Sequence, residues 1–524
     1  MRTRVAEILW GRRAFGALVL TLLALRSVAF VIGLVNLDEC DFWLFGRMVR
    51  QHAVPYLDVA DIKPPLTYAA FWVADLVGGH RPVAMPCLGL LAVLATALVL
   101  RAVARRWSGD ERVGWAAAWL TLAACLCESP SASAEILMNL PAAGALYALV
   151  RAERDPRRRW DLAAGAAAGI ATLFKLQAGI LLVCFVLAAV SSARRRKEGI
   201  GPALVRATCI TAGYAAPWAL TVGLFAAGGA LPGFLEWVIQ RNLFQISSGS
   251  PFALRDVLTS MALALGGASF AWWLALRQVR RRGDGFQFAL TILLVLTVLP
   301  VSIGRRFYEH YFLQFVPPLA LLGAPQLVWL VIHFRALSRL RRAAVLVLAF
   351  AAPVIFLAFT WTRGFVGGYP GQEPRARAIA GWLRAHTAPS ERMFVWGDYS
   401  ALYCLADRLP GTRYMRTAPH VGDFDPMHVP ADFDFRPYRS ERDVAATLAD
   451  LERNRPEMVV DTAPADLHRW SLFPLARVPE LQSFIAAHYQ PVSRPAGAVI
   501  YRRRDLVPPA GALVEAAPDG PSVR

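Results

Sequence analysis

Long apolar stretches alternate with clusters of arginine along the first two thirds of the chain. Hydrophobic residues make up 56% of the 524 positions, and the formal net charge is +18. Of the basic residues, 36 lie in residues 1–362 beside only 19 acidic ones, whereas the rest of the chain carries 20 basic and 19 acidic residues. This composition excludes a soluble enzyme and indicates a polytopic membrane protein. Basic residues placed between apolar segments indicate topology and predict no nucleic-acid partner.

The arginine clusters predict how the chain crosses the bilayer. If every cluster is cytoplasmic, each interval between two clusters holds an even number of crossings. Five hairpins and the apolar run 343–362 then give about eleven transmembrane helices, with the N-terminus in the cytoplasm. The shortest interval, 160–193, provides two short helices that meet near Lys175. The clusters are Arg2–Arg13, Arg101–Arg112, Arg151–Arg159, Arg194–Lys197, Arg277–Arg282 and Arg335–Arg342.

The predicted fold class is a polytopic α-helical membrane protein with a C-terminal extracytoplasmic α/β domain. Residues 1–362 form the transmembrane part, with a first outer loop at 37–81. Residues 363–507 form the α/β domain, because short apolar runs flanked by Gly or Pro read as buried strands. The Pro- and Ala-rich tail 508–524 is expected to be disordered. The expected strands are 392–397, 457–461 and 498–501, and the expected helices are 374–386 and 441–454.

This topology places the polar turns of the first part on the outer side of the membrane. Each turn carries charged or hydrogen-bonding groups, and no large hydrophilic domain lies on the inner side. The turns together predict a functional site at the outer surface. The alternative for any single turn is that it is polar because water surrounds it. The outer turns are 38–80, 128–135, 174–177, 236–251 and 304–311.

The first outer loop gathers carboxylates and a lysine directly after a spanning helix. Asp38 and Glu39 begin it, and Asp61 precedes Lys63, which leads through two prolines into the next apolar stretch. Only three lysines occur beside 53 arginines, and Lys63 and Lys175 both fall on the predicted outer face. A lysine is a compact point charge suited to a phosphate oxygen. Proline also restricts the residue before it to an extended backbone, which holds Lys63 in a defined direction.

Two later turns carry further candidates. Glu135 lies at the predicted N-terminus of a helix, where capping and a role in the site are equally compatible with its position. Arg305 and Arg306 break the positive-inside trend and therefore indicate a negative partner such as a phosphate or a lipid headgroup. His310 and Tyr311 follow them in the same turn. Binding of a headgroup without catalysis is the alternative for this turn.

These motifs resemble the polyprenyl-phosphate-dependent glycosyltransferases of the GT-C superfamily. The nearest branch contains the protein O-mannosyltransferases and the bacterial aminoarabinose transferase of lipid A. The outer Asp-Glu pair with the Lys-Pro-Pro-Leu element is the more specific part of the resemblance. The motifs that carry it are Asp38-Glu39, Pro55-Tyr56-Leu57-Asp58, Lys63-Pro64-Pro65-Leu66, Glu135, Phe174-Lys175 and the run from Arg306 to Tyr311.

The resemblance implies roles for these residues. Asp38 would be the general base that deprotonates the acceptor hydroxyl while the sugar leaves its lipid phosphate with inversion. Lys63, with the basic residues of the 304–311 turn, would neutralise the leaving phosphate. Asp61 matches an acidic position common in this branch and is the second catalytic candidate. The candidates for binding substrate or phosphate are Glu39, Lys63, Glu135, Lys175, Arg305, Arg306, His310 and Tyr311.

The partners implied are a polyprenyl-phosphate-linked sugar and an acceptor in the envelope, which is a glycan, a lipid or a protein. No Walker motif or soluble nucleotide-sugar domain is present, and this favours a lipid-linked donor. The location expected is the bacterial cytoplasmic (inner) membrane, with the C-terminal domain outside the cytoplasm. No metal ligand is assigned. Family members bind a divalent ion near such acids, and this sequence neither requires nor excludes one.

Two other classes of protein remain open. A transporter or flippase of lipid-linked sugars would also sit in the membrane and bind the same donor. Transporters usually carry polar residues near the bilayer midplane and contain internal repeats. The sequence shows no convincing repeat and few charges within the apolar segments. A non-catalytic lipid-binding scaffold for envelope assembly is the third possibility.

Overall fold

A computed structural model describes most of the chain and divides it into two compact units, Met1–Glu373 and Pro374–Arg524. The residues described are 7–79, 81–128, 130–155, 157–197, 199–243, 254–304, 307–422, 424, 426–427 and 429–507. Arg305, Arg306 and the expected disordered tail 508–524 lie outside them.

The first unit is built from α-helices. Short 3₁₀ helices connect several of them, at Cys125–Cys127, Leu176–Gly179, Glu309–Phe315, Phe334–Ala336 and Pro370–Gln372, and a π-helix spans Leu235–Gln240. The α-helices are α1 (Ala14–Ile32), α2 (Leu37–Arg50), α3 (Pro65–Gly78), α4 (Ala84–Ser108), α5 (Glu111–Ala124), α6 (Ala134–Arg154), α7 (Arg158–Thr172), α8 (Ile180–Arg195), α9 (Ile200–Ala227), α10 (Leu231–Phe234), α11 (Leu254–Gly267), α12 (Ser269–Val279), α13 (Gly285–Leu296), α14 (Val298–Ser302), α15 (Val316–His333) and α16 (Arg339–Phe365).

Several of these helices suit a bilayer. Among the described residues, seven helices are long and apolar enough to cross it, and the pair α11–α12, bent by 76°, would make an eighth. The span that begins at Arg339 leaves large apolar side chains uncovered: Phe350, Val354 and Ile355 are 62%, 62% and 65% exposed. Such surface on an apolar helix is suited to contact with lipid. The chain is a multi-pass membrane protein, and eleven crossings stays a prediction.

Helix α2 lies within the first unit rather than along its surface. In the sequence, Phe42, Phe45 and Val49 recur at helical spacing, which predicts an amphipathic helix at 42–54 with its apolar side toward acyl chains. In the structure Phe42 and Phe45 are buried, and their rings contact Phe71 and Tyr68 of α3. The cap of α2 is Asn36, whose side chain accepts a hydrogen bond from the Asp38 backbone N–H (2.9 Å). Asp38 stands just before the apolar positions of this helix and could have served as its cap, but Asn36 takes that place.

The second unit contains a five-stranded sheet in the order β2-β1-β3-β5-β4. Strands β1, β2 and β3 are parallel, with Trp396 opposite Asp461, and β5 pairs antiparallel with both β3 and β4. Its core includes Phe394, Trp396 and Trp470. The strands are β1 (Arg392–Trp396), β2 (Leu409–Pro410), β3 (Met458–Asp461), β4 (Tyr489–Ser493) and β5 (Val499–Arg503); the helices are α17 (Pro374–His386), α18 (Ala401–Ala406), α19 (Glu441–Asn454) and α20 (Pro479–His488).

Candidate active site

The loop between α2 and α3 is held by two buried tyrosines that bind the backbone of Lys63. The Tyr56 hydroxyl donates to the Lys63 carbonyl (2.8 Å), and the Lys63 N–H donates to the Tyr68 hydroxyl (3.0 Å). The Tyr68 ring stacks on Phe45 of α2 at 3.7 Å between centroids. The Asn242 side-chain amide donates to the Ile62 carbonyl (2.8 Å). Lys63 therefore has a fixed backbone before Pro64 and Pro65 start α3.

Helix α3 begins against the turn that contains Lys175. The Leu66 N–H donates to the Leu173 carbonyl (3.1 Å), and the Thr67 hydroxyl donates to the Phe174 carbonyl (2.7 Å). These bonds satisfy donors at the start of one helix with carbonyls at the end of another, α7. They also bring two of the three lysines of the chain to the same place.

Glu135 and Lys175 form a buried ion pair. Ser133 caps α6 by accepting a hydrogen bond from the Ile136 N–H (3.4 Å), and Glu135 follows in the first turn. The Lys175 Nζ donates to Glu135 Oε1, and both side chains are buried. A helix N-terminus favours a carboxylate, but this carboxylate is neutralised mainly by a side chain from another segment. Glu135 is thus more than a capping residue.

The 3₁₀ helix Glu309–Phe315 adds two aromatic side chains to this pair. His310 Nε2 lies 4.0 Å from Glu135 Oε1, and the Lys175 ammonium lies 4.5 Å from the centre of the Tyr311 ring. The segment is tied to α6 because the Asn139 amide donates to the Leu313 carbonyl (2.9 Å). Cation and aromatic ring at this distance attract each other.

Lys63 lies close enough to the Glu135–Lys175 pair for their charges to interact. Burial by itself would lower the pKa of Lys63, but the carboxylates of Asp38 and Asp61, with a smaller contribution from Glu135, raise it above its ordinary value. Lys63 is therefore fully charged at neutral pH. Its ammonium makes no hydrogen bond or ion pair with any residue that the structure describes, so it is available to another negative group.

We call this group the lysine cluster. Its charges act on one another: His310 is within range of the charges of Glu135, Lys175, Asp38 and Lys63. Five segments of the chain, from Asp38 to Tyr311, thus converge on one place. Its members are Asp38, Asp61, Lys63, Glu135, Lys175, His310 and Tyr311, and Arg305 and Arg306 lie outside the described residues.

The structure does not bring Glu39 into the lysine cluster. Its buried carboxylate accepts from the Ala132 N–H (2.5 Å) and the Val35 N–H (3.4 Å), and Arg26 is the nearby cation. Burial raises the pKa of Glu39 to about 7. Arg26 in turn donates to the carbonyls of Pro130 (2.9 Å) and Ser131 (2.7 Å). Glu39 therefore ties the start of α2, which carries Asp38, to the segment before α6, which carries Glu135.

Sequence reasoning missed the residues that hold the cluster together. Their partners are backbone atoms of a lysine or of the residue before it, and a backbone partner leaves no pattern in the sequence; these residues are Tyr56, Tyr68, Thr67 and Asn242. The Pro-Tyr dipeptide at residues 55–56 was the one available signal.

Among the described residues, no group of three His, Cys, Asp or Glu side chains is arranged to hold a metal ion.

Comparison with known proteins agrees with this architecture. Residues 62–218 match the family of dolichyl-phosphate-mannose-protein mannosyltransferases. The fold is similar to the crystal structure of ArnT from Cupriavidus metallidurans bound to undecaprenyl phosphate, with 18% sequence identity, a TM-score of 0.58, and coverage of 93% of this chain and 98% of that one. The resemblance to GT-C glycosyltransferases is thereby confirmed.

Two further solved structures are similar. ArnT from the same organism in the apo state has 17% identity, a TM-score of 0.57 and the same coverage. The archaeal oligosaccharyltransferase AglB from Archaeoglobus fulgidus, in complex with an inhibitory peptide and a dolichol-phosphate, has 16% identity and a TM-score of 0.46, over 93% of this chain and 75% of that one. No curated protein sequence matches the chain.

Proposed function

We propose that this protein is a membrane glycosyltransferase that moves a sugar from a polyprenyl-phosphate donor to a hydroxyl of an envelope acceptor. The observation that carries the proposal is the lysine cluster, in which an unpaired, charged lysine lies beside several carboxylates in a membrane protein with a GT-C-like fold. A sugar carried on a polyprenol stays in the bilayer, so its site must open at the membrane. The acceptor is a glycan, a lipid or a protein, and the membrane is the bacterial cytoplasmic membrane, with the site on its outer face.

In this mechanism Asp38 is the general base. Its carboxylate takes the proton of the acceptor hydroxyl, whose oxygen attacks the anomeric carbon as the bond from that carbon to the phosphate oxygen breaks. A positioned base of this kind contributes about 10²–10⁴-fold to a rate. Attack from the face opposite the leaving group inverts the anomeric centre. Asp38 is half-buried at the start of α2, and the hydrogen bonds that Glu39 accepts from the Ala132 and Val35 N–H groups position that helix.

Lys63 is proposed to neutralise the phosphate as it leaves. Negative charge grows on the phosphate in the transition state, and a cation held in advance stabilises it without rearrangement. Lys175 is already paired with Glu135, so it is assigned to holding Glu135 and Tyr311 in place. Arg305 and Arg306, which precede His310 in the sequence, are proposed to neutralise the same phosphate together with His310.

The test is sugar transfer by Asp38→Asn in proteoliposomes that contain radiolabelled polyprenyl-phosphate sugars and envelope extract. Transfer should fall by about 10²-fold or more while insertion and Tm stay those of the wild type. The control is Asp58→Asn, whose carboxylate in the same loop accepts from the Val54 N–H (2.9 Å). An active Asp38→Asn variant would remove the assignment of the base. Flux of lipid-linked sugar across the liposome with no covalent product would show a flippase instead.

A further inference from the structure

The second unit has a cavity beside the carboxyl end of its central strand, β3. Asp461 ends β3, which runs parallel to β1 and β2, and the carboxyl ends of parallel strands are the usual place for ligands in such sheets. The cavity holds about 370 Å³, near the lower end of the range for ligand pockets, about 300–1,000 Å³. Its polar lining is Asp461, Ser471, Gln482 and Tyr501, beside Leu475 and Ile485 from the apolar part.

Asp461 presents a buried negative charge to this cavity. The residue is only 7% exposed, and its Oδ1 accepts from the Ala463 N–H (3.0 Å). The other oxygen has no hydrogen-bond or ion-pair partner among the described residues, and no cation of that set shifts its titration. Burial raises the pKa of Asp461 to about 6, so the group is still ionised at neutral pH. A buried, unpaired carboxylate is costly unless a partner neutralises it.

The other polar groups do not neutralise Asp461. The Tyr501 hydroxyl is within range of the Asp461 charge, but it is a neutral group. Arg494 acts on Tyr501 and donates to the Gly497 carbonyl (3.4 Å), yet it has no effect on Asp461. A ligand with hydroxyl groups alone would leave the negative charge in place. A ligand with a positive charge would neutralise the Asp461 carboxylate.

We propose that this cavity binds a small ligand that carries an ammonium group, with Asp461 as its counter-ion. The ammonium pairs with the free carboxylate oxygen, and Tyr501 and Gln482 accept or donate hydrogen bonds at the rest of a body about the size of a hexosamine. The apolar floor from Leu475 and Ile485 covers one side of that body. The cavity is lined only by residues of the second unit, and the proposal is independent of the sugar transfer proposed for the lysine cluster.

The experiment is binding of three matched sugars to the full-length protein in detergent, measured by saturation-transfer NMR. Glucosamine carries the ammonium, whereas N-acetylglucosamine and glucose have the same ring without the charge. We expect glucosamine to bind at least about tenfold more tightly than the other two. Equal binding of glucose would overturn the proposal in favour of hydroxyl recognition, and no binding of glucosamine would overturn it as well.

Variants locate the binding site. Asp461→Asn keeps an oxygen for the Ala463 N–H but removes the charge, and it should weaken glucosamine binding about tenfold. Ala476→Trp fills the cavity from an exposed position of its lining, so it should block binding without disturbing the core. This second variant tests the cavity even if Asp461→Asn folds poorly. Glu452→Gln, which removes an exposed carboxylate of α19, is the matched control and should bind as the wild type. Unchanged binding in Ala476→Trp would overturn the assignment of the cavity.

Discussion

Two groups of charged residues in the first unit, each with buried members, differ in how completely they are paired. In the arginine network, formed by Glu153, Asp161, Arg196 and Arg206, the Arg206 guanidinium donates to both carboxylates at 3.1–3.3 Å. Arg196 donates to the remaining oxygen of Glu153 (3.2 Å). In the lysine cluster, Lys175 is paired but Lys63 is not.

The difference follows from the chemistry of the two cations. A guanidinium has five donors in a rigid fork, so a few carboxylates can satisfy it and join the helices that carry them. An ammonium has a compact charge that the carboxylates around Lys63 stabilise at longer range. The arginine network therefore stabilises the helix packing, whereas the lysine cluster retains a cation for a ligand. Buried charge indicates a binding site only where its pairing is incomplete.

The most severe test of this comparison removes one cation from each group and measures both activity and stability. Lys63→Ala should lower sugar transfer by about 10²-fold, as for removal of one transition-state donor, with little change in Tm. Arg206→Ala should instead cost about 3 kcal/mol of stability, because it leaves the buried carboxylate of Asp161 without its partner. The measurements are transfer rate at saturating donor and thermal unfolding in detergent.

Lys63→Arg sharpens that result. A guanidinium keeps the charge but not the compact shape, so partial activity is expected from it. Loss of stability in Lys63→Ala together with normal activity would reverse the roles of the two groups.

The buried carboxylate of Glu39 predicts a dependence of stability on pH. Its pKa is raised from 4.5 to about 7 in the folded protein, mainly by burial. The folded state therefore holds a proton that the unfolded state has lost. The stabilisation is complete below about pH 4.5 and is lost as the pH rises through about 7, by up to about 3 kcal/mol.

Comparison with Glu39→Gln isolates this effect. The Gln variant keeps an oxygen for the Ala132 N–H but does not titrate, so its Tm should fall less between pH 4.5 and pH 7. Glu7→Gln, which removes an exposed carboxylate of the same unit, should follow the wild type. Parallel Tm profiles for wild type and Glu39→Gln would show that Glu39 is solvated or fully paired.

The smallest effect is expected from the tyrosine that binds the Lys63 carbonyl. Tyr56→Phe removes one hydrogen bond, worth about 1 kcal/mol, and should lower kcat/KM a few-fold by loosening Lys63. Tyr214→Phe is the matched control, because its hydroxyl bonds Thr172 (3.1 Å) in the same unit but does not contact Lys63. Equal kinetic effects of the two changes would mean that the Tyr56 bond has no special role.

Much of the fold could be predicted because it depends on local composition. Apolar runs longer than the bilayer's hydrocarbon core and the arginine clusters between them are sufficient to predict spanning helices. The segments expected to be strands at 392–397 and 457–461 contain β1 and β3, and the segment expected at 498–501 covers the first part of β5, since short apolar runs between turn residues are a local signal. The apolar face of α2 was assigned to lipid because periodicity shows that a face is covered but not what covers it.

The sequence alone determined that the chain crosses a membrane, and it identified the acids and lysines of the predicted outer turns as unusual residue choices for their places. Only the tertiary structure decided which of them meet. Glu39 and Asp38 are neighbours in sequence, yet Glu39 turns to Ala132 and Arg26, because successive residues of a helix point about 100° apart. Lys63 and Lys175 come together through the hydrogen bonds of Leu66 and Thr67 to backbone carbonyls, and a backbone carbonyl is the same in every residue, so no sequence pattern encodes that partner.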